Sequence, residues 1–165
     1  MNFASLKLLP VGLVLCASHL LGQRVGETAF VTNNTGAIYQ FDAKHPDVSA
    51  IEIAIIPPPV PEYITFSPDG LTVYFTTGLS NEDVHSFSVC DPRSDTNLNT
   101  GVPGPFGIAI ASDGTVGYVA TSGYVMSPSG IYSFPTAGGS NNPLTATATS
   151  IANPLFIAIS GRLPL

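Results

Sequence analysis

The sequence predicts an all-β fold of repeated antiparallel sheets, and the strongest evidence is an internal repeat. Segment 60–78 (VPEYITFSPDGLTVYFTTG) returns 44 residues later as segment 104–122 (GPFGIAIASDGTVGYVATS). Each copy places two short alternating runs around an Asp-Gly pair. The low charged fraction of 10% and the many Gly and Pro residues fit an all-β protein with many turns. A period near 44 with such hairpins is typical of a β-propeller blade, a sheet of four strands.

The two Asp-Gly pairs are expected to close hairpins. In segment 67–70, Pro presets its backbone angle, Asp can accept hydrogen bonds from the turn, and Gly accepts a left-handed conformation. We therefore expect positive φ at Gly70 and Gly114. Asp69 and Asp113 are interpreted as turn residues, in preference to catalytic or calcium-binding carboxylates, because a calcium loop needs several oxygen ligands at close spacing.

The alternating runs predict the strands of each repeat. In the second repeat they are 63–67, 71–77 and 84–89, with a weaker fourth strand between 91 and 101. In the third repeat they are 106–111, 115–121, 130–135 and roughly 144–151. The first repeat lacks its innermost strand and has strands at 29–33, 37–42 and 49–56. A fourth repeat opens at 154–160.

These repeats define the expected domain organisation. Blades are placed near 29–56, 61–100 and 105–151, with an incomplete blade at 154–165. The fold class is thus a β-propeller of four-stranded antiparallel blades, with about three blades of a partial ring. Closed propellers have 4–8 blades. We therefore expect self-association, or a partner that completes the ring, because exposed strand edges invite pairing with other chains.

The N-terminal residues 1–22 have the order of a secretory signal peptide, and residues 23–165 would form the propeller. Lys7 precedes an apolar run from Leu8 to Leu15, and small residues follow. The run is too short for a membrane span, which needs about 20 residues. The alternatives are an uncleaved anchor and a lipoprotein acylated at Cys16, although Leu15 departs from the small residue of a lipobox. The expected location is secreted, periplasmic or cell-envelope.

The charge of the mature chain excludes two classes of partner. Without residues 1–22 it has four Lys and Arg against eleven Asp and Glu, a net charge of about −7 at pH 7. No basic patch exists, which argues against nucleic acid and against acidic membrane surfaces. Cys90 would be the sole mature cysteine, so we expect packing rather than disulfides to hold the fold, and an inert thiol at Cys90.

The repeat resembles the Tyr-Val-Thr-Asn (YVTN) type of β-propeller repeat. The family pattern is Pro-x-x-Ile-Ala-x-Ser-Pro-Asp-Gly, a short gap, Tyr-Val-Thr-Asn, and a Val-rich strand. The matching residues are Pro61, Ile64, Ser67, Pro68, Asp69, Gly70, Tyr74, Thr76, Pro105, Ile108, Ala109, Asp113, Gly114, Tyr118, Val119, Pro154, Ile157 and Ala158. The resemblance covers 29–160, and the family includes surface-layer propellers and lactonase-like seven-bladed proteins.

Few residues are candidates for chemistry. His45 and His85 lack neighbours at zinc-ligand spacing, and there is no Gly-x-Ser-x-Gly elbow. We therefore assign no catalytic, metal or cofactor-binding residue and expect no cofactor. Propeller ligands usually meet loops on one face of the ring, here the face opposite the Asp-Gly turns. The candidate ligand-face residues are Asn33, Asn34, Asn81, Glu82, Asp83 and Tyr124.

The resemblance implies a secreted or envelope-associated propeller segment with a binding or structural scaffold role, in contact with protein or glycan. One alternative is a lactonase-like hydrolase acting on a sugar lactone. Another is a truncated, non-functional fragment of a larger propeller. Enzymatic activity stays open, with the residues favouring none, because no nucleophile or acid–base pair stands at catalytic spacing.

The signal sequence predicts cleavage between Ala17 and Gln23 on export. N-terminal sequencing of the exported protein checks this. A chain that starts at Met1 would favour an anchor, and an acylated start at Cys16 would show a lipoprotein.

Overall fold

The computed structural model describes residues 28–33, 35–45, 47–55, 60–77, 83–98, 100–102, 104–122, 129–137, 145–148 and 150–160. Within these ranges the chain forms eleven strands and no helix. The strands are β1 (Thr28–Thr32), β2 (Ala37–Asp42), β3 (Ile51–Ile55), β4 (Pro61–Phe66), β5 (Thr72–Thr77), β6 (Asp83–Ser88), β7 (Asp91–Asn97), β8 (Pro105–Ile110), β9 (Val116–Thr121), β10 (Gly130–Pro135) and β11 (Thr145–Ala148).

The strands form three antiparallel sheets in which sequential strands are neighbours. Blade 1 has the order β1-β2-β3, blade 2 has β4-β5-β6-β7, and blade 3 has β8-β9-β10-β11. The prediction of an all-β, partial propeller is confirmed. The weak fourth strand of blade 2 is β7, and it lies at the outer edge, where its side chains are mostly exposed. This exposure explains why its polar sequence gave only a faint strand pattern.

The core consists of two apolar layers, one on each side of blade 2. Strand β5 contributes to both because its side chains alternate between the faces of the sheet. Val73 and Phe75 pack toward blade 1 with Phe30 and Ile38. Tyr74 packs toward blade 3, in the layer that contains Ile108, Val119 and Phe134. Blade 2 is thus buried on both faces, which fixes the register of β5, since a slip by one residue would exchange its two faces.

The Asp-Gly turns have the predicted geometry. Gly70 has φ of 72° and Gly114 has φ of 76°. In the first turn the Ser67 amide donates to the Thr72 carbonyl at 2.8 Å, and the Ser67 hydroxyl donates to the Asp69 carboxylate at 2.5 Å. This last bond is the main reason that the pKa of Asp69 is lowered.

The second turn obtains the same support from another residue. Alanine replaces the serine there, and Thr115 donates both its amide and its hydroxyl to the Asp113 carboxylate, at 3.0 and 2.9 Å. These two bonds lower the pKa of Asp113. The hydroxyl that bonds the Asp carboxylate belongs to Ser67 at the start of the first turn and to Thr115 at the end of the second. Both turns therefore keep their carboxylate hydrogen-bonded although their sequences differ.

Threonine hydroxyls join the inner strands of neighbouring blades. The Thr32 hydroxyl of β1 donates to the Glu62 carbonyl of β4 at 3.2 Å. The Thr76 hydroxyl of β5 donates to the Phe106 carbonyl of β8 at 2.8 Å and accepts the Tyr63 amide at 3.3 Å. The Tyr63 amide is free for this because the β4–β5 register shifts between Pro61 and Ile64. One side chain therefore links three strands and two blades.

Segment 150–160 differs from the prediction, because the structure has no strand at 154–160. Its backbone nevertheless lies against β8, where the Gly107 amide donates to the Leu155 carbonyl at 2.8 Å. A Cβ on Gly107 would lie 2.7 Å from that carbonyl oxygen, so only glycine permits this approach. A strand assignment requires a ladder partner, and none of the described residues pairs with 154–160.

Cys90 is disulfide-bonded, so the expectation of an inert free thiol is wrong. Cys16, the other cysteine of the sequence, lies outside the described residues, as does the whole predicted signal peptide 1–22. In the described part of the chain, no helix is long and apolar enough to cross a membrane.

The turn glycines give a stability prediction. Gly70→Val and Gly114→Val should each lower the free energy of unfolding by about 1–2 kcal/mol, because a β-branched residue resists positive φ. No atom lies within 4 Å of a Cβ on Gly70, so at that position the cost comes from the backbone alone. Denaturant unfolding measures it. Gly70→Asn is the matched control and should cost less, because Asn tolerates the left-handed region. Unchanged midpoints for both valine variants would contradict this blade register.

Candidate functional site

The candidate site is the face of the blades opposite the Asp-Gly turns, which we call the loop face. It is formed by the ends of β1, β5 and β9 and by the starts of the strands that pair with them, β2, β4, β6, β8 and β10. The antiparallel order requires these ends to meet at one edge of each sheet. The described candidate residues Asn33 and Asp83 both lie there. Asn34, Asn81, Glu82 and Tyr124 lie outside the described residues.

Asn33 holds the turn between β1 and β2. Its side-chain oxygen accepts hydrogen bonds from the Thr35 amide at 3.0 Å, the Thr35 hydroxyl at 2.8 Å and the Ala37 amide at 3.0 Å. Asn commonly bonds nearby backbone groups in this way. The acceptor side of Asn33 is therefore committed to the turn, and its side chain also hydrogen-bonds Tyr39 of β2.

Asp83 is a buried carboxylate that fixes the chain after β7. Its Oδ1 accepts the Thr100 amide at 2.7 Å, the Thr100 hydroxyl at 2.9 Å and the Val84 amide at 2.9 Å. Its own amide and carbonyl bond the Thr77 hydroxyl at the end of β5. This network ties β5, β6 and the chain entering blade 3 together. Asp83 thus has a structural role at the loop face, which its position in a polar loop of the sequence did not reveal.

Glu62 is a loop-face residue that the sequence reasoning did not select. It lies at the start of β4, the inner strand of blade 2, and is half-buried. Burial raises the pKa of its carboxyl group above that of an exposed glutamate. The equivalent residues in the other repeats are the apolar Phe106 and Leu155. A comparison of the repeats alone therefore shows that Glu62 is a charged residue at an otherwise apolar position. No described residue donates a hydrogen bond to its carboxylate.

His85 pairs with Asp95 at the layer between blades 1 and 2. Its Nδ1 lies 3.1 and 3.2 Å from the two oxygens of Asp95, and its ring stacks on Phe75 with the ring centres 5.2 Å apart. Its Nε2 is buried and has no hydrogen-bond partner in the described part of the chain. The contact with Asp95 depends on the pairing of β6 with β7.

A shallow cleft lies at the opposite, turn face, between the two Asp-Gly turns. It measures about 280 Å³ and is lined by Ser67, Pro68, Asp69, Thr72, Tyr74, Asp113 and Gly114. Burial raises the pKa of Tyr74. Both carboxylates already accept hydrogen bonds within their own turns. Among the described residues, no three His, Cys, Asp or Glu side chains are grouped to hold a metal ion.

Solved structures with similar folds support the propeller architecture. A nidogen/laminin complex aligns with a TM-score of 0.63 at 17% identity, over 80% of this chain and 48% of that chain. Hydrazine synthase of Kuenenia stuttgartiensis aligns with a TM-score of 0.58 at 24% identity, over 78% and 34%. A Bacteroides uniformis protein, proposed to be a 6-phosphogluconolactonase, aligns with a TM-score of 0.55 at 24% identity, over 76% and 38%.

These similarities establish the fold alone. The chain spans less than half the length of each of these three structures. No protein-family model matches the chain, and no curated protein sequence matches it. The fold is a β-propeller with partial blades, and any activity has to be argued from the chain's own residues.

The Asp83 network gives a second stability prediction. Asp83→Ala should lower the free energy of unfolding by about 2–3 kcal/mol, because it leaves buried donors at Thr100 and Val84 without an acceptor. Asp83→Asn keeps one acceptor oxygen and should cost less. Asp47→Ala, at an exposed aspartate, is the control and should stay within about 0.5 kcal/mol of the wild type. Equal midpoints for Asp83→Ala and Asp47→Ala would show that the carboxylate does not stabilise the loop face.

Proposed function

We propose that the chain is a secreted or envelope-associated propeller segment of the YVTN type, which acts as a binding scaffold through its loop face. The family assignment is supported by equivalent placement of its motif residues. Tyr74 and Tyr118 occupy matching positions of β5 and β9, and the Asp-Gly turns open both strands in the same way.

The observation that carries the scaffold proposal is the use of polar groups at the loop face. Asn33 and Asp83 direct their side-chain oxygens to backbone amides and threonine hydroxyls of the same face. These bonds hold the strand ends in fixed positions. Strand ends held in this way lose little entropy when a partner binds, which favours recognition. A hydrolase would instead need polar groups that converge on a substrate and remain available to it.

Within this proposal, Glu62 is the residue of the inner strand β4 that contacts the ligand. It is half-buried, acidic and free of hydrogen bonds from described residues. A carboxylate in that position would accept hydrogen bonds from the hydroxyl groups of a glycan. Because its pKa is raised by burial, lowering the pH should protonate it earlier than an exposed glutamate, and binding through the ionised form should weaken accordingly.

The state of Cys90 is relevant to the proposed export of the chain. A disulfide between the two cysteines of the sequence would persist only in an oxidising compartment such as the periplasm or the extracellular space, and only in a chain that keeps Cys16. Cleavage between Ala17 and Gln23 would remove Cys16, the other cysteine of the sequence. A thiol count on the exported protein therefore distinguishes a cleaved chain, with Cys90 free or bonded to another molecule, from a chain that retains Cys16.

The scaffold proposal predicts binding without turnover. The purified chain should bind a subset of oligosaccharides on a defined glycan array and should not hydrolyse glucono-lactone in a titrated assay. Glu62→Gln should weaken the glycan binding about tenfold or more, as expected for the loss of one charge-assisted hydrogen bond. Asp47→Asn is the matched acidic control and should leave it unchanged.

Two results would contradict the proposal. Lactone turnover that disappears in Asp83→Asn or His85→Gln, with the fold retained, would show a hydrolase. Glycan binding that is equal in wild type, Glu62→Gln and Asp47→Asn would show that the inner strand of the loop face takes no part.

A further inference from the structure

Among the described residues, blade 1 has no strand at the inner edge that β4 and β8 cover in the other blades. In blades 2 and 3 the innermost strands β4 and β8 pair with β5 and β9. In blade 1 the strand equivalent to β5 and β9 is β1, and among the described residues it pairs only with β2. Val31 shows the consequence, because it is 46% exposed whereas its equivalents Phe75 and Val119 are fully buried at 0%. In the described part of the chain, no strand therefore covers this edge of β1.

Segment 154–160 has the sequence and the position of such a strand. The segment aligns with β4 and β8 in the repeat, so that Pro154 corresponds to Pro61 and Pro105. The Glu62 and Phe106 carbonyls accept threonine hydroxyls from the preceding blade, and the Leu155 carbonyl occupies the same place. In blade 3, Ala120 occupies the position at which Thr32 of blade 1 and Thr76 of blade 2 supply the hydroxyl. There the Gly107 amide of β8 donates directly to the Leu155 carbonyl.

The segment also exposes apolar side chains. Phe156 is 72% exposed, and its ring meets the ring of Tyr63 edge-on with the ring centres 5.3 Å apart. Leu155 and Ile159 are exposed as well. Blades 2 and 3 stand between β1 and this segment, and no hydrogen bond joins the two in the described part of the chain. The two unpaired edges therefore cannot meet within one arc of three blades.

We propose that segment 154–160 of one copy of this chain adds to β1 of a second copy as the inner strand of blade 1. The eleven described strands and this segment fill the twelve positions of three four-stranded blades. Two copies exchanging the segment reciprocally would close a ring of six blades, inside the range of 4–8 found in closed propellers. A two-fold axis relates the two identical contacts, so the assembly is closed and does not grow into a fibre.

The equivalent strands fix the register of this contact. Ile64 pairs with Phe75 and Ile108 with Val119, so Ile157 would lie opposite Val31 of the second copy. By the same rule Ala158 would lie opposite Phe30, and Ile159 opposite Ala29. Because the Ser67 amide bonds the Thr72 carbonyl, the pair two residues on, Thr65 and Tyr74, is also hydrogen-bonded. The Ala158 amide should therefore donate to the Phe30 carbonyl.

Two measurements test the exchange. Light scattering on the mature chain should give twice the chain mass, and Ala158→Pro should shift the protein toward the monomer by removing that amide. Ala158→Thr is the matched control, because Thr65 holds the same place in β4, and it should remain a dimer. Thermal unfolding of each variant shows whether the blades themselves are intact.

Cysteine cross-linking checks the register in a background with Cys16 and Cys90 changed to Ser. An Ala29→Cys chain mixed with an Ile159→Cys chain should give a covalent dimer, because a non-hydrogen-bonded pair brings Cα atoms to about 4.5 Å. An Ala29→Cys chain mixed with Ala158→Cys, one residue out of register, should give much less. A monodisperse monomer at high concentration, equal cross-linking of both mixtures, or a dimer unaffected by Ala158→Pro would overturn the proposal. None of these outcomes depends on glycan binding, so it is tested separately from the scaffold role.

Discussion

The second strand of each blade must be covered on both faces, and the rest of the architecture follows from this requirement. Strand β5 shows it most clearly, with Val73 and Phe75 directed to blade 1 and Tyr74 directed to blade 3. Buried apolar area contributes about 25 cal/mol per Å², so a sheet with one open face loses much of its stability. A blade is therefore stable only between neighbours, as in other repeat proteins. The hydrogen bonds between blades set the spacing that this packing requires.

The threonine bridges show how the spacing is set. The Thr76 hydroxyl accepts one amide from its own blade and donates to a carbonyl of the next, so it satisfies two backbone groups that a register shift removes from the ladder. Where Ala120 replaces the threonine, the backbones come into direct contact, and Gly107 has no Cβ to prevent it. Two sequence solutions thus meet the same demand, that buried amides and carbonyls be paired.

The hairpins and strands were predictable because their determinants are local. Positive φ at Gly70 and Gly114 follows from the Asp-Gly pair. The run of β-branched and aromatic residues along β5 fits its burial on both faces. The contacts that the sequence did not reveal depend on pairing between distant residues. Asp95 reaches His85 only through the β6–β7 ladder, and Asp83 reaches Thr100 only after β7 has returned to the loop face. The segment 154–160 has a strand sequence, but its state depends on a partner that local sequence does not contain.

The same dependence connects the fold to function. The loop face can form a binding site only where several blades place their strand ends around one axis. The three described blades occupy part of such a ring. Glu62 lies on an inner strand, so its surroundings in a complete ring would include inner strands from the opposite side. A closed ring would lower the exposure of Glu62 and bring groups of other blades toward it, which strengthens any charge-assisted contact it makes. In the proposed ring, the strand that covers Val31 would also contribute to the surroundings of the Glu62 carboxylate, so completing the ring would affect any ligand contact made there.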